Sequence, residues 1–172
     1  MKITKTKFQD LLLFNSKNFY DSRGYFREVL IEKIVKKRFK FTVVSKSKKN
    51  VVRGLHMQRK FQQGKYISVL KGKILDVVVD CRKGSKTFGK HFKIEISEKN
   101  SKSIYVPPGF IHGFLGLENE NIVMYSCTEY RDKKSEIGVM WNDEELKIDW
   151  KIKNPILSAK DKNNQKFKDV KF

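Results

Sequence analysis

The sequence has few of the residues that would indicate a disulfide-stabilised or membrane-spanning protein among its 172 residues. Only two cysteines occur, Cys81 and Cys127, and they form neither a CxxC pair nor a disulfide framework. We therefore expect buried free thiols in a cytoplasmic protein. The apolar run Leu11–Phe14 is four residues long, far short of the ~20 residues of a membrane span, so neither a membrane segment nor a signal peptide is predicted.

Histidine is almost as rare, which argues against a metal site. His56, His91 and His112 share no short spacing, no HxH or HExxH motif occurs, and no cysteine lies at a ligand interval from them. The sequence has no internal repeat and no phosphate-binding glycine loop, because Gly84 and Gly89 lie between two predicted strands rather than before a helix.

Arginine is also scarce, although the formal net charge is +19. The chain has seven arginines and 31 lysines, and the lysines are scattered over its whole length. Specific reading of nucleic-acid bases favours arginine, whereas dispersed lysines are typical of a solvated surface. We therefore expect no nucleic-acid partner. A small polyanionic substrate such as a diphosphate suits the same charge.

Short apolar runs separated by turn residues make up most of the chain. Tyr66–Leu70 and Ile74–Asp80 flank Lys71-Gly72, which predicts a hairpin, and His91–Ile96 alternates strictly between apolar and polar residues. The apolar spacing from Glu28 to Phe39 predicts the one short helix. This pattern predicts a single all-β domain over residues 1–172, an antiparallel sandwich or barrel.

The stretch Val51–Gln58 brings a guanidinium, a glycine, an imidazole and an amide into eight residues. Strict alternation would place Arg53 and His56 on opposite faces of a strand, whereas a bulge at Gly54 would turn both toward one pocket. A single histidine on a strand is more often structural than catalytic. Tyr125 taken alone is likewise more typical of a core aromatic with a satisfied hydroxyl.

Six motifs occurring in order give the sequence a family resemblance. They are Arg53-Gly54-Leu55-His56, Asp76–Asp80, Arg82–Gly89, Pro107–Phe114, Trp141-Asn142-Asp143 and Leu157–Asp161. Together they resemble the dTDP-4-dehydrorhamnose 3,5-epimerase family over about residues 23–161. The resemblance implies a cupin-type jelly roll of antiparallel strands with one or a few short helices. It also implies a homodimer, a reaction on nucleotide-diphosphate 4-keto-6-deoxy sugars, and no metal or organic cofactor.

The resemblance also implies roles for four catalytic residues. A ketone at C4 of the sugar acidifies the C–H bonds at C3 and C5, so inversion needs a base on one face and a proton donor on the other. By resemblance His56 is the base, Asp161 orients it, Tyr125 is the acid, and Lys65 stabilises the enolate oxygen.

Further residues match substrate-binding positions of the family. Arg53 and Lys160 suit a diphosphate, His112 lines the sugar pocket, and Glu136 lies on the nucleotide side. The segment containing Arg23, Phe26 and Glu28 is expected to reach the site of a neighbouring subunit. Gln58, Tyr130 and Arg131 complete the predicted binding set.

Two departures from the family pattern fall at its base-recognition end. Phe41-Thr42-Val43 stands where the family usually has Gln-Asp-Asn, and Tyr130-Arg131 replaces two adjacent aromatics. One hypothesis is therefore a GDP-linked 4-keto-6-deoxy hexose or heptose, as in capsule or lipopolysaccharide pathways, because Arg131 can stack on a purine. The sequence is also compatible with a C3-only epimerase, with an isomerase moving the ketone between C3 and C4, and with a non-catalytic sugar-nucleotide-binding cupin.

Overall fold

The computed structural model describes residues 1–172. Its regular structure is carried by thirteen short strands: β1 (Lys2–Lys5), β2 (Leu12–Asn15), β3 (Phe19–Asp21), β4 (Gly24–Phe26), β5 (Phe41–Ser47), β6 (Val52–Gln58), β7 (Lys65–Lys71), β8 (Lys73–Asp80), β9 (His91–Ser97), β10 (Lys102–Val106), β11 (Phe110–Gly116), β12 (Asn121–Cys127) and β13 (Glu136–Gly138). The helical elements are α1 (Glu32–Val35), α2 (Ala159–Lys162) and a 3₁₀ turn at Phe167–Asp169. None of the helices combines the length and apolar character needed to cross a membrane.

The strands form two main antiparallel sheets and a separate ribbon. The larger sheet has the order β1-β2-β10-β7-β12-β5, the smaller has the order β13-β6-β11-β8-β9, and β3 pairs only with β4. The predicted jelly roll is confirmed. The predicted hairpin is wrong, because β7 lies in the larger sheet and β8 in the smaller one. The Lys71-Gly72 turn therefore joins the two sheets instead of two neighbouring strands.

Three apolar clusters account for the core. The cluster between the sheets includes Ile67 and Val123 from the larger sheet and Val78 and Phe114 from the smaller one, all at most 1% exposed. A second cluster covers the outer face of the smaller sheet with residues of the C-terminal segment, including Trp150. A third packs the region of α1 against the outer face of the larger sheet. The smaller sheet is thus buried on both faces, in keeping with the nearly continuous apolar sequence of β8.

The segment expected to be the one helix forms a single turn. Ile31 at its start provides no side-chain hydrogen bond to the first turn, and Lys36 at its end has a left-handed φ of 56°. Without an N-terminal cap and with an early left-handed residue, the apolar spacing from Glu28 to Phe39 does not propagate a helix. Val35 still packs into the third cluster.

The β6 strand contains a bulge at Gly54, the second of the two arrangements that the sequence left open. His56 is paired with His112, but Arg53 is paired with Phe114, so the register between β6 and β11 shifts within this stretch. Gly54 has a φ of +126°, and a Cβ atom there would lie 2.6 Å from the Cα atom of Gly113. Only glycine fits this close approach. The shift turns Arg53 and His56 to the same side, away from the second core cluster that holds Val52 and Leu55.

Candidate active site

A cavity of about 660 Å³ opens between the two sheets, a volume typical of small-ligand sites. Its walls come from β5, β6, β7, β11 and β12 and from the segment that leads into α2. The predicted site residues that line it are His56, Tyr125, Asp161, Lys65, Arg53, Gln58, His112, Arg131 and Glu136. The structure therefore brings all four predicted catalytic residues into one cavity.

His56 and Asp161 form a close pair in the wall of this cavity. The His56 Nε2 atom lies 2.5 Å from Asp161 Oδ1, and the Asp161 side chain is only 4% exposed. Burial opposes ionisation of Asp161, but the hydrogen bond from His56 and those from Ser158 and the Gly54 backbone outweigh it and lower the pKa. The ionised carboxylate can only accept, so His56 donates through Nε2–H, and in the neutral ring this leaves the free lone pair on Nδ1.

The α2 helix places Asp161 at this position. Ser158 is its N-cap, and the Ser158 hydroxyl accepts a hydrogen bond from the Asp161 backbone N–H at 3.1 Å. The cap fixes the first turn of a very short helix, and Asp161 lies in that turn. The sequence analysis named Asp161 from the family resemblance alone, and the Ser-x-x-Asp spacing of Ser158 and Asp161 would have indicated the capped helix start as well.

Tyr125 faces the cavity from the larger sheet. Its ring packs edge-on against His112, with ring centroids 6.2 Å apart. Burial raises the pKa of its hydroxyl, and the nearby Asp76 carboxylate adds to this effect, while Ser45 and Arg53 act against it. Tyr125 therefore holds its proton at neutral pH, as a proton donor must. The expectation from the residue alone, a core aromatic, is incomplete because the ring also lines the cavity.

Lys65 projects its ammonium into the cavity without any salt bridge or hydrogen bond from the chain. Burial lowers its pKa, and the neighbouring Cys127, Glu136 and Asp76 groups only partly offset this. A shielded ammonium without a fixed counter-ion interacts strongly with any negative charge that develops beside it. This is the electrostatic property required of a group that stabilises an enolate oxygen.

Cationic side chains gather at the mouth of the cavity. Glu136 accepts a hydrogen bond from Lys160 at 2.6 Å through one carboxylate oxygen and from Arg131 at 3.0 Å through the other. Burial opposes ionisation of Glu136, but these two cations outweigh it and lower the pKa. Arg53 donates to the Ser47 hydroxyl at 2.9 Å and to the Lys46 carbonyl at 3.0 Å. These bonds hold the guanidinium at the cavity wall.

His112 lies in the lining of the cavity. Its side chain has a partner that the sequence analysis did not predict. The His112 Nε2 atom lies 2.8 Å from Asp76 Oδ2, and both side chains are at most 5% exposed. Asp76 Oδ1 is buried without a hydrogen-bond partner. A carboxylate inside the otherwise apolar run Ile74–Val79 was the available signal, because a buried charge requires a partner.

The remaining predicted binding residues have other surroundings. Gln58 lines the cavity, but its amide donates to the backbone carbonyls of Phe61 and Tyr130 and accepts from the Asp132 N–H. Its polar atoms thus hold the loop that carries Tyr130 and Arg131. Tyr130 lies outside the cavity lining, 63% exposed, with its ring stacked on Phe41 at 6.0 Å.

The segment with Arg23, Phe26 and Glu28 lies outside the cavity of its own chain. Phe26 is 67% exposed on the β3–β4 ribbon, and the Arg23 side chain forms an exposed salt bridge to Asp21 at 2.6 Å. Glu28 is also exposed, and only its backbone carbonyl is engaged, by the Ser16 hydroxyl. The predicted binding residues that do not line this cavity are thus Arg23, Phe26, Glu28, Tyr130 and Lys160.

The cysteines are free and buried, as expected. Cys81 lies in the second core cluster, and burial raises its thiol pKa to about 12. Cys127 lines the cavity near Lys65, and burial raises its pKa as well. The structure contains no group of three or more His, Cys, Asp or Glu side chains arranged to hold a metal ion.

Known proteins are similar to this chain in sequence and in fold over nearly their whole length. The profile of the dTDP-4-dehydrorhamnose 3,5-epimerase family matches residues 5–169. The enzyme of that name from Shigella flexneri is 39% identical over 179 aligned residues, covering 100% of this chain and 99% of that protein.

Solved structures of epimerases show the same similarity. The dTDP-6-deoxy-D-glucose-3,5-epimerase from Legionella pneumophila, in complex with dTDP-4-keto-L-rhamnose, is 35% identical with a TM-score of 0.94, covering 99% of this chain and 94% of that one. A double mutant of a 3'-monoepimerase from Streptomyces bikiniensis, in complex with dTDP, is 25% identical with a TM-score of 0.87, covering 94% and 85%. With the profile match and the 39% identity over the whole chain, this protein belongs to the dTDP-4-dehydrorhamnose 3,5-epimerase family.

Proposed function

We propose that this chain is an isomerase that inverts C3 and C5 of a dTDP-linked 4-keto-6-deoxy sugar. The observation that carries the proposal is the position of the base and the acid in different sheets. His56 lies on β6 of the smaller sheet and Tyr125 on β12 of the larger sheet, and both line one cavity between them. A sugar bound there has a base on one face and a proton donor on the other.

The His56–Asp161 pair removes the proton. The C4 ketone acidifies the C–H bonds at C3 and C5, and the unprotonated Nδ1 of His56 accepts one of these protons. Asp161 fixes the tautomer and stabilises the imidazolium that forms. A positioned base of this kind typically contributes a factor of ~10²–10⁴.

Lys65 and Tyr125 complete each inversion. Negative charge moves to the C4 oxygen as the proton leaves, and the ammonium of Lys65 has no competing anion bound to it. The Lys65 interaction is therefore strongest when the enolate forms, which is where it accelerates the reaction. Tyr125 then gives its proton to the carbon from the opposite face.

The diphosphate and sugar are bound around this core. Arg53 and Lys160 suit the diphosphate, and His112, anchored by Asp76, lines the sugar end. The Arg131 guanidinium donates to Glu136 through one nitrogen. The choice of dTDP over the GDP-linked alternative is supported by the relatives, which are named dTDP-4-dehydrorhamnose 3,5-epimerases and include a complex with dTDP-4-keto-L-rhamnose.

We also propose that the enzyme is a homodimer in which the β3–β4 ribbon completes the neighbouring site. The ribbon pairs with no other strand, and it leaves the rings of Phe19, Tyr20 and Phe26 more than half exposed, an uncovered aromatic surface that suits contact with a second subunit. The two free buried thiols suit the cytoplasm as the place of the reaction.

Subunit complementation tests the dimer. A His56→Asn chain mixed with an Arg23→Ala/Phe26→Ala chain, after subunit exchange, forms heterodimers with one complete site if the ribbon acts in trans. We expect activity to return on mixing, up to about half that of a wild-type site pair by stoichiometry. Each variant mixed with itself is the control. No recovery in mixtures shown to contain heterodimers would mean that the ribbon acts within its own chain.

Proton NMR in deuterium oxide tests the reaction. We expect deuterium at C3 and C5, inverted configuration at both carbons, and a preference for the dTDP-linked over the GDP-linked 4-keto-6-deoxy hexose. Exchange at C3 alone would indicate a monoepimerase, and a 3-keto product would indicate a ketone isomerase. Binding without exchange with every donor would leave a non-catalytic cupin and contradict the proposal.

A further inference from the structure

We propose that Ser45 positions the Tyr125 hydroxyl and passes to it the proton that restores the acid after each inversion. The proposal rests on the proposed function, in which Tyr125 is the proton donor. Ser45 Oγ lies 3.3 Å from Tyr125 Oη, and the Tyr125 hydroxyl makes no other hydrogen bond within the chain. Ser45 is therefore a positioning and relay residue, acting on the substrate through Tyr125.

The strand pairing fixes this contact. β5 pairs with β12, and the register aligns Val43 with Tyr125 and Ser45 with Val123. Ser45 is thus the diagonal neighbour of Tyr125 on the same face of the sheet, within reach of its long side chain. β5 is the edge strand of the larger sheet, and Ser45 is only half-buried, so water can reach it.

The chemistry of inversion requires a path for protons at this point. Each inversion adds a proton to His56 and removes one from Tyr125, so the next inversion requires both groups to be reset. His56 is 25% exposed and can release its proton to water. The Tyr125 phenolate is largely buried. A hydroxyl can donate its proton to the phenolate while accepting one from water, which leaves the Ser45 hydroxyl unchanged and the proton count balanced.

A second serine on β5 supports a different part of the site. Ser47 accepts the hydrogen bond from Arg53 Nε, and Arg53 is the residue assigned to the diphosphate. Ser45 and Ser47, two residues apart on the same face of β5, thus contact the acid and the anion-binding residue. This separation predicts that loss of the Ser45 hydroxyl lowers kcat, whereas Ser47→Ala mainly raises KM.

A volume-matched pair of variants tests the proposal. Ser45→Thr keeps the hydroxyl and Ser45→Val replaces it by a methyl group, and both β-branched residues suit a strand. Thr42→Val is the control, because it removes the 2.9 Å hydroxyl contact between Thr42 and Ser126 on the same two strands, and Thr42, unlike its neighbours Phe41 and Val43, does not line the cavity. Both kcat and the ratio of deuterium exchange to inversion are measured in deuterium oxide.

We expect Ser45→Val to lower kcat about tenfold, the scale of one lost hydrogen bond, with little change in KM. Its exchange-to-inversion ratio rises, because His56 still removes and returns protons while donation from the other face slows. Ser45→Thr restores both values and Thr42→Val leaves them near wild type. A Ser45→Val ratio equal to that of Thr42→Val would overturn the role of Ser45. Absence of exchange in the wild-type enzyme would instead overturn the proposed function.

Discussion

The Asp161 carboxylate determines which nitrogen of His56 carries a proton. It is buried, its pKa is lowered, and it accepts a hydrogen bond from His56 Nε2. Since an ionised carboxylate cannot donate, the free lone pair is on Nδ1. The same lowered pKa means that Asp161 stays ionised at neutral pH, so His56 keeps its orienting partner over the range in which the enzyme works.

We expect Asp161→Asn to reduce kcat by a factor of ~10²–10⁴, because an amide can donate to His56 and favour the wrong tautomer. Steady-state kinetics with the dTDP-linked substrate measures the loss. Asp169→Asn, an exposed carboxylate of the same C-terminal segment, is the control and should retain wild-type kcat. A fall of less than about threefold in a folded Asp161→Asn protein would exclude the orienting role.

Lys65 illustrates a conflict between stability and activity. Lys65→Met keeps the length of the side chain but removes the charge. We expect kcat/KM to fall by a factor of ~10²–10³, the effect of losing one group that stabilises a developing oxyanion. We also expect the free energy of unfolding of the unliganded enzyme to rise, because an ammonium whose pKa is lowered by burial is replaced by an apolar group.

The pH dependence of the free energy of unfolding distinguishes the loss of a buried charge at Lys65 from a change in side-chain packing. A lysine with a lowered pKa binds fewer protons in the folded state than in the unfolded chain, so it makes stability rise with pH below the ordinary value of 10.5. Denaturant titrations across this range should show a shallower rise for Lys65→Met than for wild type. Lys60→Met, at an exposed position, is the control for removal of a surface charge. Equal slopes for all three proteins would contradict the account.

At the scale of elements, the β6 bulge sets the geometry of the site. We expect Gly54→Ala to be destabilising, because its Cβ atom would lie 2.6 Å from Gly113 Cα and 2.8 Å from the His112 carbonyl oxygen. Gly24→Ala is the matched control, since Gly24 has a similar φ of +135° but no atom within 4 Å of the added carbon.

Thermal or denaturant unfolding measures the difference between the two variants. Both carry the backbone cost of a positive φ, so Gly54→Ala should lose ~1–3 kcal/mol more than Gly24→Ala through overpacking. It should also lose activity, because Arg53 and His56 no longer share one face. Equal destabilisation of the two variants would mean that β6 and β11 do not approach as closely as described.

The loop after β8 provides an acid-sensitive element far from the chemistry. Burial opposes ionisation of Asp80, but hydrogen bonds from Arg82, Thr87 and Ser85 outweigh it and lower the pKa to about 2. A carboxylate with a depressed pKa contributes stability that is complete above its unfolded pKa and is lost as pH falls through its folded pKa. From the two pKa values, Asp80 contributes about 2 kcal/mol at neutral pH.

Urea titrations of wild type and Asp80→Asn at several pH values test this contribution. The difference in the free energy of unfolding should be constant above pH about 5 and shrink by about 2 kcal/mol as the pH falls toward 2. Asp169→Asn, at an exposed position, is the control for removal of a surface carboxylate. A pH-independent difference for Asp80→Asn would contradict the assigned hydrogen bonds.

Local sequence patterns predicted where strands and turns occur better than they predicted which strands pair with one another. The alternation of His91–Ile96 and the glycine at position 54 predicted β9 and the β6 bulge, because both depend on neighbouring residues in the sequence. The turn Lys71-Gly72 predicted a chain reversal but not that its strands join different sheets, because pairing is decided by contacts distant in sequence. For the same reason the Asp76–His112 and Ser45–Tyr125 contacts, separated by 36 and 80 residues, were not predicted.

At the scale of the whole molecule, the jelly roll provides two walls rather than one surface. The proposed base His56 and its neighbour His112 belong to the smaller sheet, and Tyr125 and Lys65 belong to the larger one. The apolar cluster between the sheets holds these walls at a fixed separation. The family resemblance predicted roles for these residues, and the fold places them on opposite walls of one cavity.

The most direct test of this account compares His56→Asn and Tyr125→Phe with wild type, by proton NMR in deuterium oxide with the dTDP-linked 4-keto-6-deoxy substrate. Tyr125→Phe should still exchange the proton next to the ketone but rarely invert the carbon, since the base remains and the donor on the opposite wall is gone. His56→Asn should lose exchange and inversion together. Full inversion by Tyr125→Phe, or unchanged exchange by His56→Asn, would contradict the assignment of base and acid to the two sheets.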